Sequence, residues 1–406
     1  MSTPAHALLL ENIHENALAP LIAAGCRVTR LNEALTPAAL RARLADVQIL
    51  GIRSKSQIDV DLIQGAPGLQ SIGCFCIGTN QVDLQAANRA GVPVFNAPLS
   101  NTRSVAELVL SELVALARQL GDRSREMHAG HWNKTAEHSY EVRGKTLGIV
   151  GYGHIGAQLG VMAEALGLRV IFYDILTQLP LGNNRPMASL DALLRAADFV
   201  SLHVPATPQT QQMIGAAQLA MMPAGSYLLN LSRGSVVDLS ALAAALRAGH
   251  LRGAAVDVFP DEPERNQTAF HSPLHGLPNV LLTPHIGGAT EEAQAAIGIE
   301  VATQLGRFMT AGTTLGAVNF PRLELPPAPT RHRLLNVHRN VPGVMRDVNQ
   351  IVGALSANIH AQVLATDQDI GYFLMDLDQD LVDDVAEALT RLPNQIRTRV
   401  LPQLRV

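Results

Sequence analysis

One stretch of this chain leaves few folds open. Thr146-Leu-Gly-Ile-Val150 is an unbroken apolar run of strand length, and it leads directly into Gly151-Tyr-Gly153-His-Ile-Gly156. After it, Ile155, Leu159, Met162 and Leu166 recur at helical spacing. A second strand pattern, Leu168 to Tyr173, ends at Asp174, eighteen residues beyond Gly156. Each part has a physical reason. Gly151 permits a tight turn, Gly153 lets the backbone approach a pyrophosphate, and Gly156 lets the helix lie against the strand. The helix start offers unpaired N–H groups and a favourable dipole to phosphates. Asp174 is placed to hydrogen-bond an adenosine ribose and would repel a 2′-phosphate, so NAD is the expected cofactor in preference to NADP.

Strand and helix patterns alternate on both sides of this unit, which predicts parallel sheets. Upstream, strands are expected at Ala7–Leu10, Arg27–Leu31, Val47–Ile52, Leu69–Phe75 and Val92–Phe95, with helices near Glu15–Ala24 and Pro37–Leu44. A long apolar helix is expected from Ser104, as N-cap with Glu107 three residues on, to Leu120. The stretch Gly121–Gly144, with the single Trp132, has no clear period. At 406 residues the chain has room for two or three domains. Its 31 basic against 35 acidic residues, net charge −4, give no footprint for nucleic acid. No run approaches the ~18 apolar residues of a spanning helix, and Met1–Leu10 has no cationic leader, so a cytoplasmic location without membrane partners is expected. Cys26, Cys74 and Cys76 form no disulfide framework or metal pair and are expected as buried small hydrophobes.

Three further strand patterns each end at a reactive side chain. Tyr227–Leu231 leads to Ser232-Arg233, Ala254–Phe259 to Glu262, and Val280–Pro284 to His285. Ligands of open α/β sheets bind beyond the carboxyl ends of the strands, so these residues can converge beside the dinucleotide. Arginine can hold a carboxylate or carbonyl, histidine can take and return the hydroxyl proton of a 2-hydroxy acid, and glutamate can orient and charge the imidazole. An HExxH zinc motif, a CxxC pair and a GxSxG elbow are missing from the sequence, which disfavours metal-dependent hydrolysis and serine acyl transfer.

At these residues the chain resembles the D-isomer-specific 2-hydroxyacid dehydrogenase family, whose order GYGHIG with Asp174, NLSRGSVVD, AAVDVFPDEP and TPHIGG it repeats over about residues 5 to 320. Gly51-Ile-Arg-Ser-Lys55, Gly78-Thr-Asn80, Asn96-Ala-Pro98, Ser100-Asn101 and His131-Trp-Asn-Lys134 are similar to the branch of that family acting on 3-phosphoglycerate in L-serine biosynthesis. The resemblance implies Arg233, Glu262 and His285 as catalytic residues. It implies NAD contacts at Gly151, Gly153, His154, Ile155, Gly156, Asp174, Leu231, Ser232, Arg233, Asp257, His285, Gly287 and Gly288, with Arg53, Ser54 and Asn101 holding the substrate's phosphate and carboxylate. It further implies a substrate domain of residues 1–100 and 287–320 around an NAD-binding domain of residues 101–286, closing with Gly287-Gly288 absorbing the rotation.

Beyond the proline-rich linker, residues 321–331, the pattern of residues 332–406 reads βαββαβ, the ferredoxin-like arrangement, and resembles an ACT regulatory domain. About seventy residues make a small core, so pairing with a second copy is expected to stabilise it. The resemblance implies L-serine as effector, bound by His338, Asn340 and Asn358 across two copies, and a homotetramer. The expected fold class is therefore α/β, two doubly wound parallel-sheet lobes plus a C-terminal ACT domain. Two other functions remain open: a dehydrogenase for 2-hydroxyglutarate, glyoxylate or hydroxypyruvate, and an NAD-sensing co-repressor-like binding protein.

Overall fold

The computed structural model describes residues 4–263, 268–326 and 332–401. The chain divides into two units, Met1–Ser100 with Gln294–Val406, and Asn101–Ala293. It therefore passes between them at residues 100–101 and 293–294. Gly287 and Gly288 lie inside the second unit, where a side chain on Gly287 would come 3.1 Å from Asp257 and one on Gly288 would overlap Asn101. Close packing accounts for both glycines.

The first unit opens with five parallel strands, β1 (His6–Leu9), β2 (Arg27–Arg30), β3 (Ile49–Ile52), β4 (Ser71–Cys74) and β5 (Val94–Asn96), in the order β2-β1-β3-β4-β5. Apolar side chains leave both faces, as a buried parallel sheet requires. Leu8, Leu50, Ile52 and Ile72 pack with Leu40, Leu62 and Ala87 from the short helices on one side. Leu9, Ile49, Phe75 and Phe95 pack on the other with Val301, Leu305 and Phe308 of the helix Glu291–Ala311. Gly73 lets that helix approach: a Cβ there would sit 2.7 Å from Leu305. Cys26 and Cys74 are buried and Cys76 half-buried, and none of the three is in a disulfide among the described residues.

The second unit carries β6 (Thr146–Val150), β7 (Arg169–Tyr173), β8 (Arg185–Pro186), β9 (Phe199–Leu202), β10 (Ser226–Asn230), β11 (Leu251–Val256) and β12 (Val280–Leu282). All are parallel, in the order β12-β11-β10-β9-β6-β7-β8, so the strand order reverses between β6 and β9. The apolar helix begins earlier than expected, at Thr102, and runs to Ala117. Ser104 is not its N-cap, because its hydroxyl meets that of Thr290 at 2.8 Å instead of turning to the helix start. Gln119 adopts a left-handed conformation, and a second helix, Leu120–His128, follows in the stretch that showed no period.

The C-terminal part of the first unit is the expected βαββαβ: β13 (His332–Arg339), β14 (Ile359–Thr366), β15 (Ile370–Leu377) and β16 (Gln395–Val400), with helices Val344–Ala354 and Val382–Thr390. The antiparallel order is β14-β15-β13-β16. Leu334, Phe373 and Met375 face the two helices. Leu335, Val337, Tyr372 and Leu374 face the other way and join the core of the first sheet, beside Phe95, Phe308 and Phe320. This small domain thus gains part of its core by docking on the lobe before it. Arg333, on the same face, bonds Asp376 through Nε (2.7 Å) and one terminal nitrogen (2.9 Å), and also the carbonyls of Ala311, Leu325 and Pro326. Arg397 bonds the carbonyls of Ala90 and Leu69, and Arg399 that of Phe308. The described part of the linker is itself packed, with Leu323 and Leu325 buried; residues 327–331 lie outside the described set.

Candidate functional site

β6 ends in the glycine turn at the point where the sheet order reverses, the place where open α/β sheets bind ligands. Gly151 has φ +91°, and a Cβ on it would lie 2.5 Å from the carbonyl oxygen of His203 at the end of β9. A Cβ on Gly156 would overlap the carbonyl of Gly151, so only glycine allows this helix entry. A Cβ on Gly153 would meet nothing within 4 Å, which leaves the backbone there open to a phosphate. The helix His154–Ala165 starts at this point, with the N–H groups of His154, Ile155 and Gly156 in its first turn. Asp174 sits at the end of β7, its carboxylate accepting from Tyr152 N–H (2.8 Å) and Leu176 N–H (2.9 Å), a held carboxylate with lone pairs to spare. These features fit a dinucleotide without a 2′-phosphate.

Adjacent strands β10, β11 and β12 deliver the remaining predicted residues. After β10, Asn230 folds the turn: its Oδ1 accepts from Ser232 N–H and Oγ, and its Nδ2 donates to the Arg233 carbonyl at 3.0 Å. Leu231 and Ser232 are buried, and Arg233 is half-buried. Gly234 is required next, because a Cβ would overlap the Phe259–Pro260 peptide. After β11, Asp257 is fully buried and uses its oxygens on Thr283 Oγ1 (2.6 Å), Ile286 N–H (2.8 Å) and Gly287 N–H (2.8 Å). It thereby fixes the turn that carries His285, itself in a left-handed conformation at φ +55°.

His285 Nδ1 meets Glu262 Oε2 at 2.7 Å, and Glu262 Oε1 accepts from Phe259 N–H at 3.0 Å. With Nδ1 engaged, Nε2 is the nitrogen left for proton transfer. The hydrogen bond that His285 donates to Glu262 raises the His285 pKa above the usual histidine value, against burial and the Arg233 charge, which lower it. For Glu262, burial pushes upward, but hydrogen bonds from His285 and Phe259 and the charges of His285 and Arg233 hold the carboxyl below its ordinary value. Arg233 therefore stands close enough to influence both partners.

Among the predicted substrate residues, Asn101 is buried in the second unit and its Oδ1 has no hydrogen-bond partner among the described residues. Arg53 and Ser54 belong to the first unit, on the segment after β3, half-buried and exposed respectively. Two residues that the sequence reading passed over, Glu11 and Gln81, hold that segment.

The predicted effector residues do not meet within one copy. His338 is buried, its Nδ1 3.0 Å from Asn336 Oδ1, and burial lowers its pKa. Asn340 is exposed and donates to the Asp367 carbonyl at 2.6 Å. Asn358 is exposed and precedes β14, whose first residue is level with His332 at the opposite end of the sheet. A separation of about eight strand residues places it roughly 25 Å from Asn340. A small hollow, with room for about one water, lies beside His338 instead, lined by Asn336, Asp347, Asn394 and Gln395 with Val344. Polar residues at alternate, core-facing positions of β13 were the sequence signal for it.

Comparison with known proteins gives a consistent picture. Residues 110–287 match the profile described as D-isomer specific 2-hydroxyacid dehydrogenase, NAD binding domain, and residues 334–397 match an AHAS small subunit-like ACT domain. The chain is 50% identical over 397 residues to D-3-phosphoglycerate dehydrogenase of Escherichia coli K12, covering 97% of each. It is 49% identical to D-3-phosphoglycerate dehydrogenase of Dictyostelium discoideum, covering 97% of this chain and 96% of that one. Among solved structures it is similar to the TT0316 protein of Thermus thermophilus (34% identity, TM-score 0.66, covering 73% and 94%). It is also similar to Aquifex aeolicus D-lactate dehydrogenase complexed with NAD and lactic acid (25%, 0.64, covering 74% and 95%).

Proposed function

The chain belongs to the D-3-phosphoglycerate dehydrogenase family, and on that premise we propose that it oxidises 3-phospho-D-glycerate to 3-phosphohydroxypyruvate with NAD, the first step of L-serine biosynthesis. The observation that carries this reading is the 2.7 Å pair of His285 and Glu262, within the field of Arg233, at the ends of three adjacent strands of a dinucleotide-binding sheet. A bound NAD, which the Gly151–Gly156 turn and Asp174 would hold, would supply the acceptor for a hydride from C2 of the substrate, and as NADH the hydride donor in reduction. His285 Nε2 accepts the proton of the C2 hydroxyl as the carbon–oxygen double bond forms, and returns it when the 2-oxo acid is reduced. Glu262 stabilises the imidazolium so produced and fixes the ring's orientation. Arg233 offers its planar fork to the substrate carboxylate or to the oxygen at C2. Arg53, Ser54 and Asn101 are assigned to the phosphate and carboxylate, since a phosphate needs cations and several donors.

L-serine is proposed as effector, with His338, Asn340 and Asn358 as its contacts. Asn340 and Asn358 lie at opposite ends of the sheet, so a shared site needs a second copy. β14 is the outer strand available for pairing, while β16 at the other edge holds the first lobe through Arg397 and Arg399. A homotetramer in the cytoplasm completes the proposal. His285→Ala should lower turnover about 10²- to 10⁴-fold while NADH still binds. Loss of NADH binding with unchanged residual chemistry would contradict the acid/base role.

A further inference from the structure

We propose that Glu11 and Gln81 are positioning residues that set selectivity for a phosphorylated substrate, by clamping the Arg53–Ser56 segment from its two ends. The inference rests on the reading of Arg53 and Ser54 as phosphate-holding residues. β3 ends at Ile52, so the backbone that follows has no sheet partner to give it a shape. At its start, the buried Gln81 amide donates to the Arg53 carbonyl (2.6 Å) and the Gly78 carbonyl (3.2 Å), tying this segment to the loop after β4. At its end, the buried Glu11 carboxylate accepts from the N–H groups of Lys55 (3.0 Å) and Ser56 (2.8 Å). Glu11 and Asn12 both adopt left-handed conformations, φ +61° and +53°, unusual for residues with side chains and common where function holds the backbone.

The electrostatic arrangement gives the clamp a direction. Glu11 is a buried carboxylate that forms no ion pair among the described residues and directs each oxygen to a backbone N–H. The guanidinium of Arg53 and the ammonium of Lys55 form no ion pair among the described residues either, and Lys55 is exposed. The negative charge beside the segment thus sets the backbone and leaves the two cations for an anion. A carboxylate can accept from both N–H groups, whereas an amide would present its own NH₂ to one of them.

The test compares 3-phosphohydroxypyruvate with unphosphorylated hydroxypyruvate in Glu11→Gln, Gln81→Met and Arg53→Met. Glu11→Gln should raise KM for the phosphorylated substrate about 10- to 100-fold, the range of a lost hydrogen bond to a charged group, with kcat within about threefold. KM for hydroxypyruvate and for NADH should hold, and Glu11→Asp should restore part of the loss. Gln81→Met reaches the other end of the segment and should give the same selectivity loss even where Glu11→Gln folds poorly. Equal KM rises for both substrates, or no rise in either variant while Arg53→Met discriminates, overturns the clamp alone. Failure of Arg53→Met to discriminate overturns the phosphate assignment and the clamp with it.

Discussion

Replacing Arg333 by Met is the sharpest probe of how the C-terminal domain is held. Methionine keeps much of the apolar stem and removes the guanidinium. In the parent, the side chains of Arg333 and Asp376 are 7% and 3% exposed, and Arg333 makes five hydrogen bonds, two to Asp376 and three to carbonyls of residues 311, 325 and 326. The variant leaves Asp376 as a buried charge without its partner, a change that costs about 3–5 kcal/mol. For a folding unit of some two hundred residues, each kcal/mol lowers Tm by about 2–4 °C, so the first unit's transition should fall by about 6–20 °C. Differential scanning calorimetry of the full chain at fixed protein concentration measures this directly. The double variant Arg333→Met, Asp376→Leu should recover most of the loss, because a buried ion pair replaced by apolar residues of similar volume is commonly neutral or stabilising. A single variant within about 1 kcal/mol of the parent would refute the account of Arg333 as a dry lock between the linker and the sheet.

Other expectations follow from the catalytic unit. In Glu262→Gln, loss of the hydrogen bond that most raises the His285 pKa should move that pKa downward, so the alkaline limb of the reduction profile, which needs imidazolium, shifts to lower pH. The acid limb of oxidation, which needs neutral histidine, should shift the same way; an unmoved profile in both directions would sink the pairing argument. Asp174→Ala should weaken NAD about 10- to 100-fold and narrow the preference over NADP, as read from KM values for the two cofactors. Gly234→Ala should destabilise the second unit by about 1–3 kcal/mol in urea titration, because its Cβ has no room beside the Phe259–Pro260 peptide.

What could be read in the sequence was local. The strands Thr146–Val150 and Ile370–Leu377 have the bounds that their apolar runs set, and the glycine turn needs its glycines for the reasons that its spacing suggested. The helix Leu120–His128 escaped notice because it buries none of its residues and so carries no apolar stripe. β9, only four residues long, has no motif of its own. The docking face of the C-terminal sheet was hidden for a different reason. Arg333, Arg397 and Arg399 look like charges of a solvent-facing strand, yet their partners are backbone carbonyls and the side chains of Asp376, Gln70 and Met309, brought close only by folding. Glu11 and Gln81 were equally opaque, since the groups of the Arg53–Ser56 segment that they hold lie 28 to 45 residues away in the chain.

The central claim is tested most directly by the initial rate of NADH oxidation by the purified full chain with 3-phosphohydroxypyruvate, with and without L-serine, against hydroxypyruvate and 2-oxoglutarate at equal concentration. The account predicts rapid turnover selective for the phosphorylated substrate and suppressed by L-serine. Faster turnover of an unphosphorylated 2-oxo acid would contradict the substrate assignment, and no turnover of any of the three would contradict the enzyme.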